Sequence, residues 1–249
     1  MELLNLSTQD FTILAVIVTL AGVVRGFSGF ALSALIMAAG VMVLPPIELI
    51  PICLILEFVA SILMAGGGWR EADRGVVLGL VIGSTIGVPF GVVTMMALPE
   101  ETSKLVVLAL VIILAATQLA KVRFAFLATK PGLYISGFCA GVATGLASVG
   151  GMVVALYVLS QDAPAAKMRA ALVLFLFISG FTTLITYLYT GVMNGQAFAR
   201  GTSLAVFAAA GVFTGQKFFT ERLSPYYRPF CLTLLMSLAT FGLARTSIA

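Results

Sequence analysis

Apolar residues fall along this chain in long blocks, with neither the two-residue alternation of a half-buried strand nor the narrow stripe of an amphipathic surface helix. Between polar and Gly/Pro punctuation the blocks span 11–24, 30–44, 47–65, 75–97 and 104–120, then 133–147, 152–159, 171–190, 202–219 and 230–244. In each half the first two blocks are short, and a Gly/Ser turn separates them. At 1.5 Å rise per residue, pieces of about 8 to 15 residues cannot cross a hydrocarbon core of about 30 Å. The pattern predicts an all-α polytopic membrane protein in which each half is a re-entrant helical hairpin followed by three transmembrane helices. Pro45-Pro46 and Asp162-Ala163-Pro164 are expected to close the returning arms.

Short matches recur in the same order in both halves. Ala21-Gly-Val-Val-Arg-Gly26 resembles Ala140-Gly-Val-Ala-Thr-Gly145, and Arg74-Gly75 resembles Arg200-Gly201. Gly87-x-x-x-Gly91, followed by Leu98-Pro99, resembles Gly211-x-x-x-Gly215, followed by Leu223 and Pro225. These matches predict a duplication within a single membrane domain, 1–249, with repeat one at about 8–122 and repeat two at about 131–245. The Gly-x-x-x-Gly pairs read first as close helix packing in lipid.

Positive charge sets the topology. If each short pair were one broken crossing, Lys and Arg would divide evenly between the two faces. If each pair is a hairpin returning to its own side, Arg70, Arg74, Lys121, Arg123, Lys130, Lys167, Arg169, Lys217, Arg222 and Arg228 share one face, leaving Lys104, Arg200 and Arg245 on the other. The lopsided split is the positive-inside signature. It places both termini outside, and three spans plus a hairpin per half force the two repeats into opposite orientations.

Composition narrows the chemistry. Of 249 residues, 61% are hydrophobic and 10% charged, so lipid is the solvent for most of the chain. There is no histidine, which removes imidazole-ligated haem, most zinc sites and Ser-His-Asp catalysis. Asp10, Asp73 and Asp162 all sit at segment ends, so no intramembrane acid pair is available for proteolysis. Cys53, Cys139 and Cys231 stand singly in apolar runs and carry no metal or redox spacing. The reading is of a non-enzyme with no cofactor and no metal. The net charge of +4 comes from loop Lys and Arg, which indicates membrane orientation and no nucleic-acid partner. The N-terminal residues carry acids and no Lys or Arg, so a retained N-terminus is expected.

The two turns read Arg25-Gly26-Phe27-Ser28-Gly29-Phe30 and Gly145-Leu146-Ala147-Ser148-Val149-Gly150-Gly151-Met152. Non-helical backbone at membrane depth survives only inside protein or against a wet cavity. Each turn also opens a helix, whose free N–H groups and positive dipole end face the membrane centre, with Ser28 and Ser148 as candidate caps. Two such ends converging make an anion site. The candidate substrate-binding residues are therefore Arg25, Gly26, Phe27, Ser28, Gly29, Phe30, Ser148, Val149, Gly150, Gly151 and Met152. Glycines that serve tight turning alone are the plainer alternative.

With these segments, tips and repeats the sequence resembles the TauE/SafE family of sulfite exporters, also called the toluene-sulfonate uptake permease family. The resemblance covers essentially the whole chain and rests on short glycine-based motifs, including Gly150-Gly151. The first tip departs from the glycine-rich pattern at Phe27 and Phe30. The resemblance implies a secondary transporter of sulfite, sulfoacetate or a related sulfonate in the bacterial inner membrane. Export by alternating access is expected, with proton-coupled uptake, a passive anion channel and a membrane scaffold as alternatives. The oligomeric state is not legible.

Arg25 and Glu57 are the ionisable residues expected deep in the membrane. Charges there are costly and usually paired or functional. Either the two form a structural ion pair, or Arg25 contacts the anion while Glu57 takes up a proton during the cycle.

Overall fold

The computed structural model describes residues 4–64, 72–122, 125–161, 165–218 and 224–248. Ten α-helices account for most of them: α1 Thr8–Ser28, α2 Leu32–Gly40, α3 Pro46–Met64, α4 Arg74–Ala97, α5 Glu100–Leu119, α6 Lys130–Ala147, α7 Gly150–Leu159, α8 Ala165–Tyr189, α9 Gly195–Phe218 and α10 Ser224–Ile248. The described residues contain no strand. Local chemistry sets several ends. The Ser7 hydroxyl accepts from the Asp10 amide at the start of α1, and the Asp73 carboxylate accepts from the Gly75 and Val76 amides at the start of α4. Gly29, with φ of 82°, ends α1 in the left-handed conformation that glycine adopts without strain.

Among the described residues, seven helices are long and apolar enough to cross a membrane: α1, α3, α4, α5 and the apolar stretches of α8, α9 and α10. Six of them are the full spans expected, and the seventh is α1, the first arm of the first hairpin. Arg25-Gly26-Phe27-Ser28 continues the helix, so the first hairpin arm has 21 residues, about 31 Å at 1.5 Å per residue. Helix α6 has 18 residues and α7 has 10. Residues 41–45 turn the chain from α2 into α3, with Pro46 at its first position, where the missing N–H costs nothing. Asp162, Ala163 and Pro164 lie outside the described residues, as do Arg70, Arg123, Arg222 and Leu223. Large apolar side chains on the outer surface, among them Leu20, Phe90, Ile113, Ile185 and Phe241, are well exposed, as lipid permits.

Two glycine seams bind the bundle. Gly22 abuts Ala208, Gly211 and Val212, and Gly26 abuts Val212, Gly215 and Gln216, so α1 and α9 run in parallel. Gly83 meets Tyr134, Gly137 and Phe138, Gly87 meets Phe138 and Val142, and Gly91 meets Val142 and Gly145, so α4 and α6 are parallel too. A Cβ at most of these positions would overlap backbone, which is how small residues let helices approach when lipid removes the hydrophobic drive. The seams share one register. Gly26 faces Val212, Gly215 and Gln216, and Gly145 faces Val88, Gly91 and Val92. The first helix of each half thus packs on the fourth helix of the other half. Arg74 and Arg200 do not share this register, since Arg74 opens α4 while Arg200 stands a full turn inside α9.

Candidate functional site

The hairpin α1–α2 turns through Gly29 and Ala31, both left-handed, and α2 folds back against α1, α3 and α10. The tip is tighter than the sequence indicates. Arg25, Gly26, Phe27 and Ser28 form the last turn of α1, and only Gly29, Phe30 and Ala31 are non-helical. Ser28 does not cap α2. Its hydroxyl donates to the Phe30 carbonyl at 2.7 Å and accepts from the Phe30 amide at 3.3 Å, bracing the turn. Gly26 is committed to α9, and Phe27 and Phe30 are buried.

At the second tip Gly145, Leu146 and Ala147 are helical, and only Ser148 and Val149 are not. Ser148 is the left-handed C-cap of α6 rather than an N-cap of α7, and α7 starts behind Val149 with no side-chain cap. Gly150, Gly151 and Met152 make the first turn of α7. Val149 and Met152 are buried, and Gln118 of α5 donates to the Met152 carbonyl at 3.2 Å.

The two glycines of the second tip differ in what surrounds them. A Cβ on Gly150 would overlap the Thr144 hydroxyl and the Ala140 carbonyl of α6, whereas one on Gly151 would meet only the mobile end of Leu176 at 3.3 Å. Gly150→Ala is therefore expected to lose about 1–3 kcal/mol of stability. Gly151→Ala should melt close to the parent protein, and thermal unfolding in detergent distinguishes the two. Gly151 is accordingly the better probe of ligand contact.

Chemistry concentrates where α3 passes the first tip. Arg25 is 0% exposed. Its Nη1 donates to the Gly29 carbonyl, its Nη2 reaches the Ser61 hydroxyl at 3.3 Å, and Nη2 lies 3.2 Å from Glu57 Oε2. The buried pair expected as one alternative is present. Glu57 also has a second partner that the sequence did not reveal. Its Oε1 accepts from the Ser33 hydroxyl at 2.9 Å and lies 3.4 Å from the Ser33 amide, in the first turn of α2. A carboxylate thus stands where a helix N-terminus attracts an anion. Arg25 Nε and Glu57 Oε2 have no hydrogen-bond partner among the described residues.

Cys53, one turn earlier on α3, is fully buried. Tyr187 of α8, fully buried, approaches the second tip, donating to the Thr144 carbonyl at 3.3 Å. Helices α3 and α8 pack against one another. None of Ser33, Ser61, Cys53 and Tyr187 has a motif that would have marked it in the sequence.

A separate cavity of about 200 Å³ opens at the ends of α3, α4 and α8, lined by Glu48, Met96, Thr190, Asn194, Gln196 and Arg200 among others. Arg200, counted from sequence as a loop cation, is 4% exposed. It pairs with Glu48 and donates to the carbonyls of Leu4 at 2.7 Å and Asn5 at 3.2 Å.

Short helices that end inside the bundle, a lipid-facing apolar surface and a buried cation at a hairpin tip define a multi-pass membrane protein of the transporter class. The family model described as sulfite exporter TauE/SafE matches residues 14–241, and the chain belongs to that family. Comparison with curated proteins and with solved structures gives no match.

Proposed function

We propose that this protein exports a small sulfur oxyanion, sulfite or a related sulfonate, across the bacterial inner membrane by alternating access, with the anion held between the two hairpin tips. The observation that carries this reading is Arg25. A fully buried guanidinium beside the start of a helix keeps an N–H without a partner, a polar arrangement too costly in lipid to persist without use. An anion leaving an inside-negative cell gains about 2.3 kcal/mol per charge per 100 mV, so export needs no coupling ion. Residues of both tips, Ser28, Gly29, Phe30, Ser148, Val149, Gly150, Gly151 and Met152, line the path beside Arg25, while Gly26 and Phe27 support it from within α1.

An inverted duplication is supported by the two parallel seams. The parallel pairs α1–α9 and α4–α6 agree with helices that alternate in direction along the chain, and such alternation would orient α1 and α6 oppositely. Both termini then lie in the periplasm with Arg200 and Arg245. Cysteines replacing Lys121 and Lys167 are expected to react only with a cytoplasmic reagent, and labelling from opposite sides would remove the hairpin topology.

Calorimetry of the purified protein against sulfite, thiosulfate, sulfoacetate, taurine and toluene sulfonate tests the substrate class. Saturable binding of at least one of these is expected, and Arg25→Gln should weaken it by at least tenfold. Absence of binding by all of them rejects the reading.

A further inference from the structure

The slot that the proposed function gives to the substrate already holds an anion, and that anion belongs to the chain. Glu57 Oε1 takes the Ser33 hydroxyl at 2.9 Å and faces the Ser33 amide at 3.4 Å, while Oε2 lies 3.2 Å from Arg25 Nη2. Helix N-terminus, hydroxyl and guanidinium are the donors that a sulfonate or sulfite would use. Among the described residues the second tip has no carboxylate counterpart. Gly151, in the first turn of α7, faces Leu176 of α8, and α7 has no side-chain cap.

We propose that Glu57 is a tethered competitor for the transported anion, and that the anion gains the Ser33 and Arg25 donors only when Glu57 accepts a proton from water and withdraws as the neutral acid. The inference rests on the tips being the anion site. Two anions cannot share these donors, because in a low-dielectric interior their repulsion exceeds what the hydrogen bonds return. Leaving Arg25 without any anion is equally costly. Exchange of one anion for the other satisfies both limits. Binding is then coupled to uptake of one proton, and anion affinity rises as pH falls.

The charged and titratable groups around Glu57 are few. Arg25 faces it from α1, with Cys53 one turn earlier on its own helix and Tyr187 buried on α8. From α2 it meets Ser33, which does not titrate here. Helix α9 brings Arg200, which is paired with Glu48, and Lys217, which lies over Phe213 at 4.4 Å. Helix α5 brings Lys104, which is held by Glu100 and Glu101. Helix α6 carries Lys130, Tyr134 and Cys139, all on its exposed face. Glu57 itself retains 12% side-chain exposure where Arg25 has none.

The test counts protons released or taken up when sulfite, thiosulfate or methanesulfonate is titrated into the purified protein in two buffers of different ionisation enthalpy. Methanesulfonate and thiosulfate stay ionised near neutral pH, and sulfite's own titration cancels between protein variants. About one proton per anion is expected for the parent protein, with affinity changing up to tenfold per pH unit. Glu57→Gln should bind with no such proton and a flatter pH dependence. Should that variant fail to fold, Glu57→Asp serves instead. Its shorter arm cannot hold Ser33, so the anion binds more tightly while proton uptake persists. Binding with the same proton count in the parent and in Glu57→Gln, or weaker binding by Glu57→Asp, overturns the inference and leaves the proposed function standing. No binding by any of the three anions overturns the inference, and the proposed function falls with it only when sulfoacetate, taurine and toluene sulfonate also fail to bind.

Discussion

Gly215→Leu is expected to remove the folded protein almost entirely. A Cβ on Gly215 would overlap the Val23 carbonyl of α1, and the atoms around it are backbone on a helix that Gly22 and Gly26 press against α9. Backbone cannot rotate aside as a side chain can, so α1 must move outward, and that opens the whole seam. Overpacking a tight core site costs about 1–3 kcal/mol where side chains can give way, and more where only backbone is present. Gly151→Leu, whose neighbour is the flexible Leu176, provides the contrast. Size-exclusion chromatography and thermal unfolding should show Gly215→Leu aggregated or melting far below the parent, with Gly151→Leu folded. A well-behaved Gly215→Leu would mean that the α1–α9 seam is looser than described.

Glu57→Met is expected to destabilise strongly, and Arg25→Met in the same chain should restore much of the loss. Removing one member of a buried ion pair costs about 3–5 kcal/mol, because the remaining charge has neither water nor partner. Arg25 is that remaining charge, fully buried and left with only Gly29 and Ser61 as acceptors. Arg25→Met alone should cost less, since Glu57 keeps Ser33 and some exposure. The double replacement leaves two apolar side chains of suitable volume and no stranded charge. Thermal unfolding of the four proteins closes the cycle, and simple additivity of the two single losses would show that the pair is not coupled.

Much of the fold was legible because lipid imposes simple demands. Length and hydropathy located every helix described, and the glycine repeats marked both seams, since close approach in lipid leaves few residue choices. The helix boundary at the first tip was not legible. Gly26 and Ser28 read as turn residues, yet Gly26 is small because α9 lies against it, and the same residue type answers either need. Arg200 was misread for a related reason. A cation near a segment end looks like a loop anchor, and only the fold reveals that Glu48, Leu4 and Asn5 gather around it. The Arg25–Glu57 pair could be anticipated because charge is scarce in this chain. The capping of α2 by Glu57 could not, because a distance of 24 residues in sequence carries no periodic signal.

The α1–α9 seam also sets a timetable for synthesis. Helix α1 begins at Thr8, but its partner on the other side of the glycine groove begins only at Gly195. A ribosome adding about 5–20 residues per second takes roughly 10–40 s to make the intervening chain. Throughout that interval the groove at Gly22 and Gly26 stands open to lipid or to an insertase, with no helix yet available to fill it. Helix α4 waits less, since α6 follows it after a short loop and α5. Assembly therefore closes α4 on α6 before α1 on α9, and α1 is among the last of the described helices to be locked in place.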